Sequence, residues 1–184
     1  MNLWTDPRTR TLVSTLEGAT ARWAVQGGTA LMLFAGHFWR RPSDLDLVIF
    51  CEDSARLDQV LEAHGARLVR VGDAGFRNFQ LGGPRGNRGR YPIDITLMEA
   101  DSSAWRWRRA PSVELRWEDA IRMSLGTPIL APQAVLLSKL ARADTQDIAD
   151  AHMVWPLLDA SSRLWVRRAI SAAGVDLDLG AFAE

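Results

Sequence analysis

The sequence predicts an α/β (α+β) fold: a mixed β-sheet with flanking helices over residues 1–117, followed by a C-terminal helical region over 118–184. Two patterns predict it. Through the first part, short apolar runs rich in branched residues alternate with stretches of helical spacing, in the order β-α-β-α-β-β-β, which calls for a mixed sheet backed by helices. From Glu118 onward the spacing turns helical. With 184 residues, 47% of them hydrophobic, and a formal net charge of zero, the chain can pack a core and has no overall pull towards nucleic acid.

The elements follow in order. Thr11 to Gly18 reads as a short helix, and "ARWAVQ" as a strand delivering the chain to Gly27 and Gly28. "TALMLFAGH" has helical apolar spacing and starts directly after those glycines. "LDLVIF" is a buried strand, and "SARLDQVLEAHG" an amphipathic helix stopped by Gly65. "ARLVRVG", "FRNFQLG" and "RYPIDITLM" alternate like strands, the last two joined by the loop "GGPRGNRG". "EDAIRMSLG", "PQAVLLSKLARA", "TQDIADAHMVWPLL" and "SRLWVRRAISAAG" read as helices. There are no internal repeats. No segment approaches the length of a membrane span, and a single cysteine, Cys51, fits a reducing cytoplasm.

Polar residues stand out where this pattern would have apolar ones. Gly27-Gly28-Thr29 occupies a strand-to-helix turn, where glycines allow close approach and a helix N-terminus offers free N–H groups to phosphate. Gly-Gly before a helix is also an ordinary turn. Asp44 and Asp46, two residues apart, point the same way from a strand entering the core. Two carboxylates that close repel unless a proton or cation lies between them. A capping aspartate plus one paired with Arg40 or Arg41 would resolve the repulsion; a hard divalent cation shared with phosphate oxygens resolves it better. Asp94, in "YPIDITLM", is a lone acid in an apolar strand, and it becomes a third carboxylate if that strand lies beside "LDLVIF". Of 22 basic residues only Lys139 is a lysine, leaving 22 − 1 = 21 arginines.

"QGGTAL", "RRPSDLDLVIF" and "IDITLM" together resemble the polymerase-beta-like nucleotidyltransferase superfamily, and "LLSKLARADTQDIAD" (Leu136 to Asp150) resembles the helical motif of its abortive-infection, AbiEii-type toxin branch. The resemblance implies a nucleotidyltransferase-type sheet and a transfer of NMP from an NTP to a hydroxyl acceptor with pyrophosphate release. It implies Gly27, Gly28 and Thr29 as nucleotide-binding, and Asp44, Asp46 and Asp94 as ligands of a two-metal Mg²⁺ site, Asp94 also activating the acceptor. Lys139 would contact the triphosphate. Asp147 and Asp150 would position Lys139 or cap the following helix.

The acceptor is read from charge. Arg85, Arg88 and Arg90 crowd the glycine-rich loop, and Arg106, Arg108 and Arg109 interleave with Trp105 and Trp107 in "WRWRRA". Arginines among aromatics grip phosphates and stack on unpaired bases, although a plain hairpin tip and a half-buried strand have the same composition. A polycationic antibiotic would need an acidic site, and the acids here are committed to metal. An RNA acceptor, a tRNA 3′ end modified by a toxin with a cognate antitoxin partner, is therefore the leading expectation. An antibiotic (aminoglycoside or lincosamide) nucleotidyltransferase and a non-catalytic nucleotide- or partner-binding module are the alternatives.

Overall fold

The computed structural model describes residues 7–17, 22–52, 54–71, 76–81, 93–99, 103–175 and 182. In chain order the first elements are α1 (Pro7–Glu17), β1 (Arg22–Gln26), α2 (Gly27–Ala35), β2 (Leu45–Cys51) and α3 (Ser54–Ala63). Then come β3 (Arg67–Val71), β4 (Phe76–Leu81), β5 (Ile93–Glu99), β6 (Ala104–Trp107), β7 (Ala110–Arg116) and α4 (Trp117–Ala120). The chain ends with β8 (Ile121–Ser124), β9 (Thr127–Leu130), α5 (Pro132–Leu140), α6 (Thr145–Val154), a 3₁₀ turn at Trp155–Leu157, and α7 (Ala160–Ala172). Among the described residues no helix is long and apolar enough to cross a membrane. The chain forms two compact units: Met1–Val25 with Arg41–Asp101, and Gln26–Arg40 with Ser102–Glu184.

In the first unit the strand order is β3-β4-β5-β2-β1. β2 and β5 run parallel, whereas β4 is antiparallel to both β5 and β3, so the sheet is mixed as expected. β5 alternates strictly, with Ile93, Ile95 and Leu97 buried and Asp94, Thr96 and Met98 half-buried. β2 buries Leu47 and Ile49 on one face and Val48 and Phe50 on the other. Cover on both faces is why it reads as a continuous apolar run. Leu12 and Leu16 of α1, and Leu57 and Leu61 of α3, are pairs four residues apart that share a helix face and are buried. Gly65, at φ +78°, ends α3 in the left-handed conformation that costs glycine little. β3 is exposed along its whole length and carries Arg67 and Arg70, charges that discourage pairing at an open edge.

The second unit is mostly helical. α5 is buried nearly all round, and Pro132 at its start suits the first turn, where a missing N–H costs nothing. α6 and α7 are N-capped by Asp144 and Asp159, which accept from the Asp147 and Ser162 amides at 2.8 and 2.7 Å. Two antiparallel hairpins, β6–β7 and β8–β9, complete the unit. Trp105 and Trp107 are buried while Arg106 between them points out to Glu114 at 3.3 Å. The interleaved motif is thus a half-buried hairpin strand, and its indoles are not presented to stack on bases.

One expectation is corrected. "EDAIRMSLG" does not form a helix: α4 stops at Ala120 and the chain enters β8. The cause is the turn Leu125-Gly126, with φ of 50° and 76°, which reverses the chain and pairs Ile121 with Leu130. Positive φ at both central residues is the primed hairpin geometry. Leu125 is an unusual occupant, because its Cβ crowds the left-handed conformation. Its side chain is 75% exposed, so replacing it removes no core contact. Leu125→Gly should raise unfolding free energy by about 0.5–1 kcal/mol in urea titrations; no gain would show that the turn is unstrained.

Candidate functional site

The first unit carries the acids. In the parallel pairing, Asp46 of β2 is the register partner of Asp94 of β5. Partners on neighbouring strands point the same way, with backbones roughly 4.7–4.9 Å apart. Both are half-buried near the N-terminal ends of their strands, and Asp44 lies two residues ahead of Asp46. Gln80, the register partner of Asp94 on β4, donates from Nε2 to Asp94 Oδ1 at 2.9 Å. One row across β2, β5 and β4 therefore reads Asp46, Asp94, Gln80. Among the described residues no group of three His, Cys, Asp or Glu side chains is arranged to hold a metal ion. The pair nevertheless suits Mg²⁺, which takes one or two hard carboxylates and completes its shell with water and substrate phosphate.

The second unit carries the glycine turn. Gly27 and Gly28 open α2, and each is glycine for its own reason. Gly27 sits at φ +68°, where a side chain would be strained. At Gly28 the obstacle is a neighbour: a Cβ would stand 2.0 Å from Arg40 Nη2 and 3.2 Å from Asp150 Oδ2. Arg40 reaches this spot because Gly36 ends α2 in the left-handed conformation, after which the chain folds back along the helix. Thr29 is buried within the first turn, and the Gln26 side chain does not cap the helix.

Beside that turn lies a buried charge cluster. Lys139, 4% exposed, donates to Asp147 Oδ1 at 2.5 Å and pairs with Asp150 Oδ2 at 2.9 Å. Asp150, fully buried, also accepts from Arg40 Nε and Nη2 at 3.0 and 2.8 Å and from Trp39 Nε1 at 2.9 Å. Arg142 forks onto Asp147 at 2.8 and 3.0 Å. Three cations against two carboxylates leave a net charge of +1. This explains the lone lysine, since a compact ammonium fits between two buried carboxylates where a planar guanidinium would not. Burial alone would raise the Asp150 carboxyl, but hydrogen bonds from Arg40, Lys139 and Trp39, with the Lys139 charge, hold it down to about 2. Asp147 is lowered likewise, the Arg142 and Lys139 contacts overcoming its burial.

The structure thus brings Asp46 to Asp94, and Gly28 to Asp150 and Lys139. Arg85, Arg88 and Arg90 lie outside the described residues. Arg40 and Asp150 were the residues sequence reasoning underrated; the visible signal was the lone lysine followed at fixed spacing by Asp147 and Asp150.

The cluster generates two predictions. Asp150→Ala removes the buried carboxylate that Arg40 and Lys139 share, so it should cost about 3 kcal/mol in urea unfolding; a loss under about 1 kcal/mol would show the cluster to be dispensable. Because the Asp150 carboxyl is depressed, its contribution is complete above its ordinary value of 3.8 and fades as pH falls towards about 2. The variant's stability should therefore depend less on pH between those values than the parent's. Separately, Gly28→Ala should lower the melting midpoint by several degrees in the parent but by much less in an Arg40→Ala background, which is itself weakened by loss of the fork; equal losses in both backgrounds would place the clash elsewhere.

The family model for the nucleotidyl transferase AbiEii toxin of type IV toxin–antitoxin systems matches residues 10–149. Among curated proteins none matches the chain. ANT(2″)-Ia in complex with adenylyl-2″-tobramycin is similar at 16% identity and TM-score 0.63, over 89% of this chain and 95% of that one. JHP933 from Helicobacter pylori gives 16% and 0.52, over 95% and 79%. The lincosamide antibiotic adenylyltransferase LnuA gives 14% and 0.51, over 91% and 98%. At these identities the likeness is one of fold, and the fold is that of nucleotidyltransferases. With a family match across most of its length, the chain belongs to the AbiEii nucleotidyltransferase toxin family.

Proposed function

We propose that this nucleotidyltransferase moves a nucleoside monophosphate from an NTP to a hydroxyl of RNA, at a tRNA 3′ end, and acts as the toxin of a toxin–antitoxin pair. The observation that carries the chemistry is the in-register pair Asp46–Asp94. Like charges facing each other across a sheet are destabilising. The arrangement makes sense as a seat for Mg²⁺ that substrate phosphate and water would complete; Asp44, two residues ahead, is not grouped with the pair as a third ligand. Bound Mg²⁺ would neutralise phosphate charge and favour ionisation of the attacking hydroxyl. Asp94, oriented by Gln80, accepts that hydroxyl's proton; the oxygen bonds to the α-phosphorus as the bond to the leaving pyrophosphate breaks.

The nucleotide side rests on the second unit. The Gly27-Gly28 turn offers first-turn amides at the positive end of α2, in the manner of helix-terminus phosphate sites. Thr29 contributes its amide, since its hydroxyl is buried in the helix. Two of the three Lys139 donors are taken by Asp147 and Asp150, which leaves one for a phosphate oxygen. The arginine-rich sequence with Arg85, Arg88 and Arg90 favours a polyanionic acceptor over a polycationic drug. The family's toxin–antitoxin setting supports an antitoxin protein as partner.

The test is transfer of label from each of four radiolabelled NTPs to total tRNA with Mg²⁺. Label on tRNA that is lost by at least a hundredfold in Asp46→Asn, with the fold retained, is expected. Label on aminoglycosides or lincosamides instead would replace the RNA reading. Equal transfer by Asp46→Asn would remove the metal role of that residue.

A further inference from the structure

We infer that Arg40 is a positioning residue for the nucleotide turn, and that Asp150 couples it to Lys139. The inference rests on the reading that the Gly27-Gly28 turn seats the nucleotide's phosphates, and it adds a residue to which that reading gave no role. Two glycines in succession leave the first turn of α2 with more conformational freedom than any other pair would. A turn that must hold its amides on phosphate needs something to remove that freedom, and the two glycines have no side chains with which to do so.

Arg40 supplies the missing restraint from outside the helix. Its guanidinium lies so close to Gly28 that a Cβ there would meet Nη2 at 2.0 Å. The guanidinium is itself fixed by a two-point fork, Nε and Nη2 onto the two oxygens of Asp150. Trp39, the preceding residue, donates to the same carboxylate at 2.9 Å, so the segment that folds back from Gly36 is tied down at two successive side chains. Asp150 is fully buried and also holds Lys139. One carboxylate of α6 therefore sets both the seat of Arg40 on the glycine turn and the place of the ammonium proposed to meet the triphosphate.

A planar fork and a point charge differ in what they can do here. Lysine at position 40 would keep the charge, but could neither bind Asp150 at two points nor lie flat against Gly28. A role in positioning thus demands arginine, whereas a role in mere charge balance does not. Positioning also acts on the phosphates rather than the base or ribose. It should show as discrimination between nucleoside triphosphate and monophosphate, a ratio that simple weakening of the fold leaves unchanged.

The experiment measures equilibrium binding of each labelled NTP, and of the matching NMP, to the full chain with Mg²⁺ present. Arg40→Lys and Arg40→Met are compared with the parent, each checked for fold by circular dichroism. The parent should bind its triphosphate at least about tenfold tighter than the monophosphate, and both variants should lose roughly tenfold on the triphosphate and little on the monophosphate. A ratio unchanged in either folded variant would overturn the inference, as would parent-like binding by Arg40→Lys. If Arg40→Met does not fold, Arg40→Lys decides alone. A parent that binds none of the four NTPs overturns the nucleotide reading itself, a different outcome from a parent that binds and a variant that binds equally well.

Discussion

The parallel register of β2 on β5 is the constraint from which the chemistry follows. It sets Leu47 against Ile95 and Ile49 against Leu97, which are buried, and by the same register it must set Asp46 against Asp94. Sliding β5 by a residue would part the acids but turn its apolar set, Ile93, Ile95 and Leu97, to the other face. The several kcal/mol carried by these core residues outweigh the repulsion of two half-buried carboxylates, which an effective dielectric near 20 limits to a few kcal/mol. The core thus forces the acids together. In the proposed function a divalent cation between them would offset that repulsion.

The second unit buries its charges as a cluster of ion pairs. Desolvating Lys139, Asp147 and Asp150 is costly, and close contacts at 2.5–3.0 Å are what offset it. Such a cluster adds little net stability compared with an apolar core of equal volume, but it is directional. Here its direction runs from α6 through Arg40 to the first turn of α2.

Much of this was legible in the sequence, for physical reasons that also explain what was not. Apolar periodicity marked β2, β5, α3 and α5, because burial decides those residues one element at a time. Asp44 and Asp46 stood out as charges inside an apolar run, and Gly27-Gly28 as a break before a helix. The register that joins Asp46 to Asp94 was out of reach, since it depends on residues about 48 positions apart meeting across the sheet. The Arg40–Asp150 fork, 110 residues apart in sequence, left no local trace at all. That Gly28 also excludes a side chain because Arg40 lies against it is not visible in the sequence. The hairpin β8–β9 was hidden by Leu125, which stands where a turn of that geometry ordinarily has glycine, asparagine or aspartate.

The measurement that bears most directly on the carboxylate pair is a thermal melt of the parent and Asp46→Asn, each with and without millimolar Mg²⁺ and NTP. If the pair is a cation seat, the metal-free variant stays folded and what it loses is the response to the cation. Mg²⁺ with NTP then raises the parent's midpoint by several degrees and the variant's far less. An identical rise in both proteins would mean that the cation sits elsewhere.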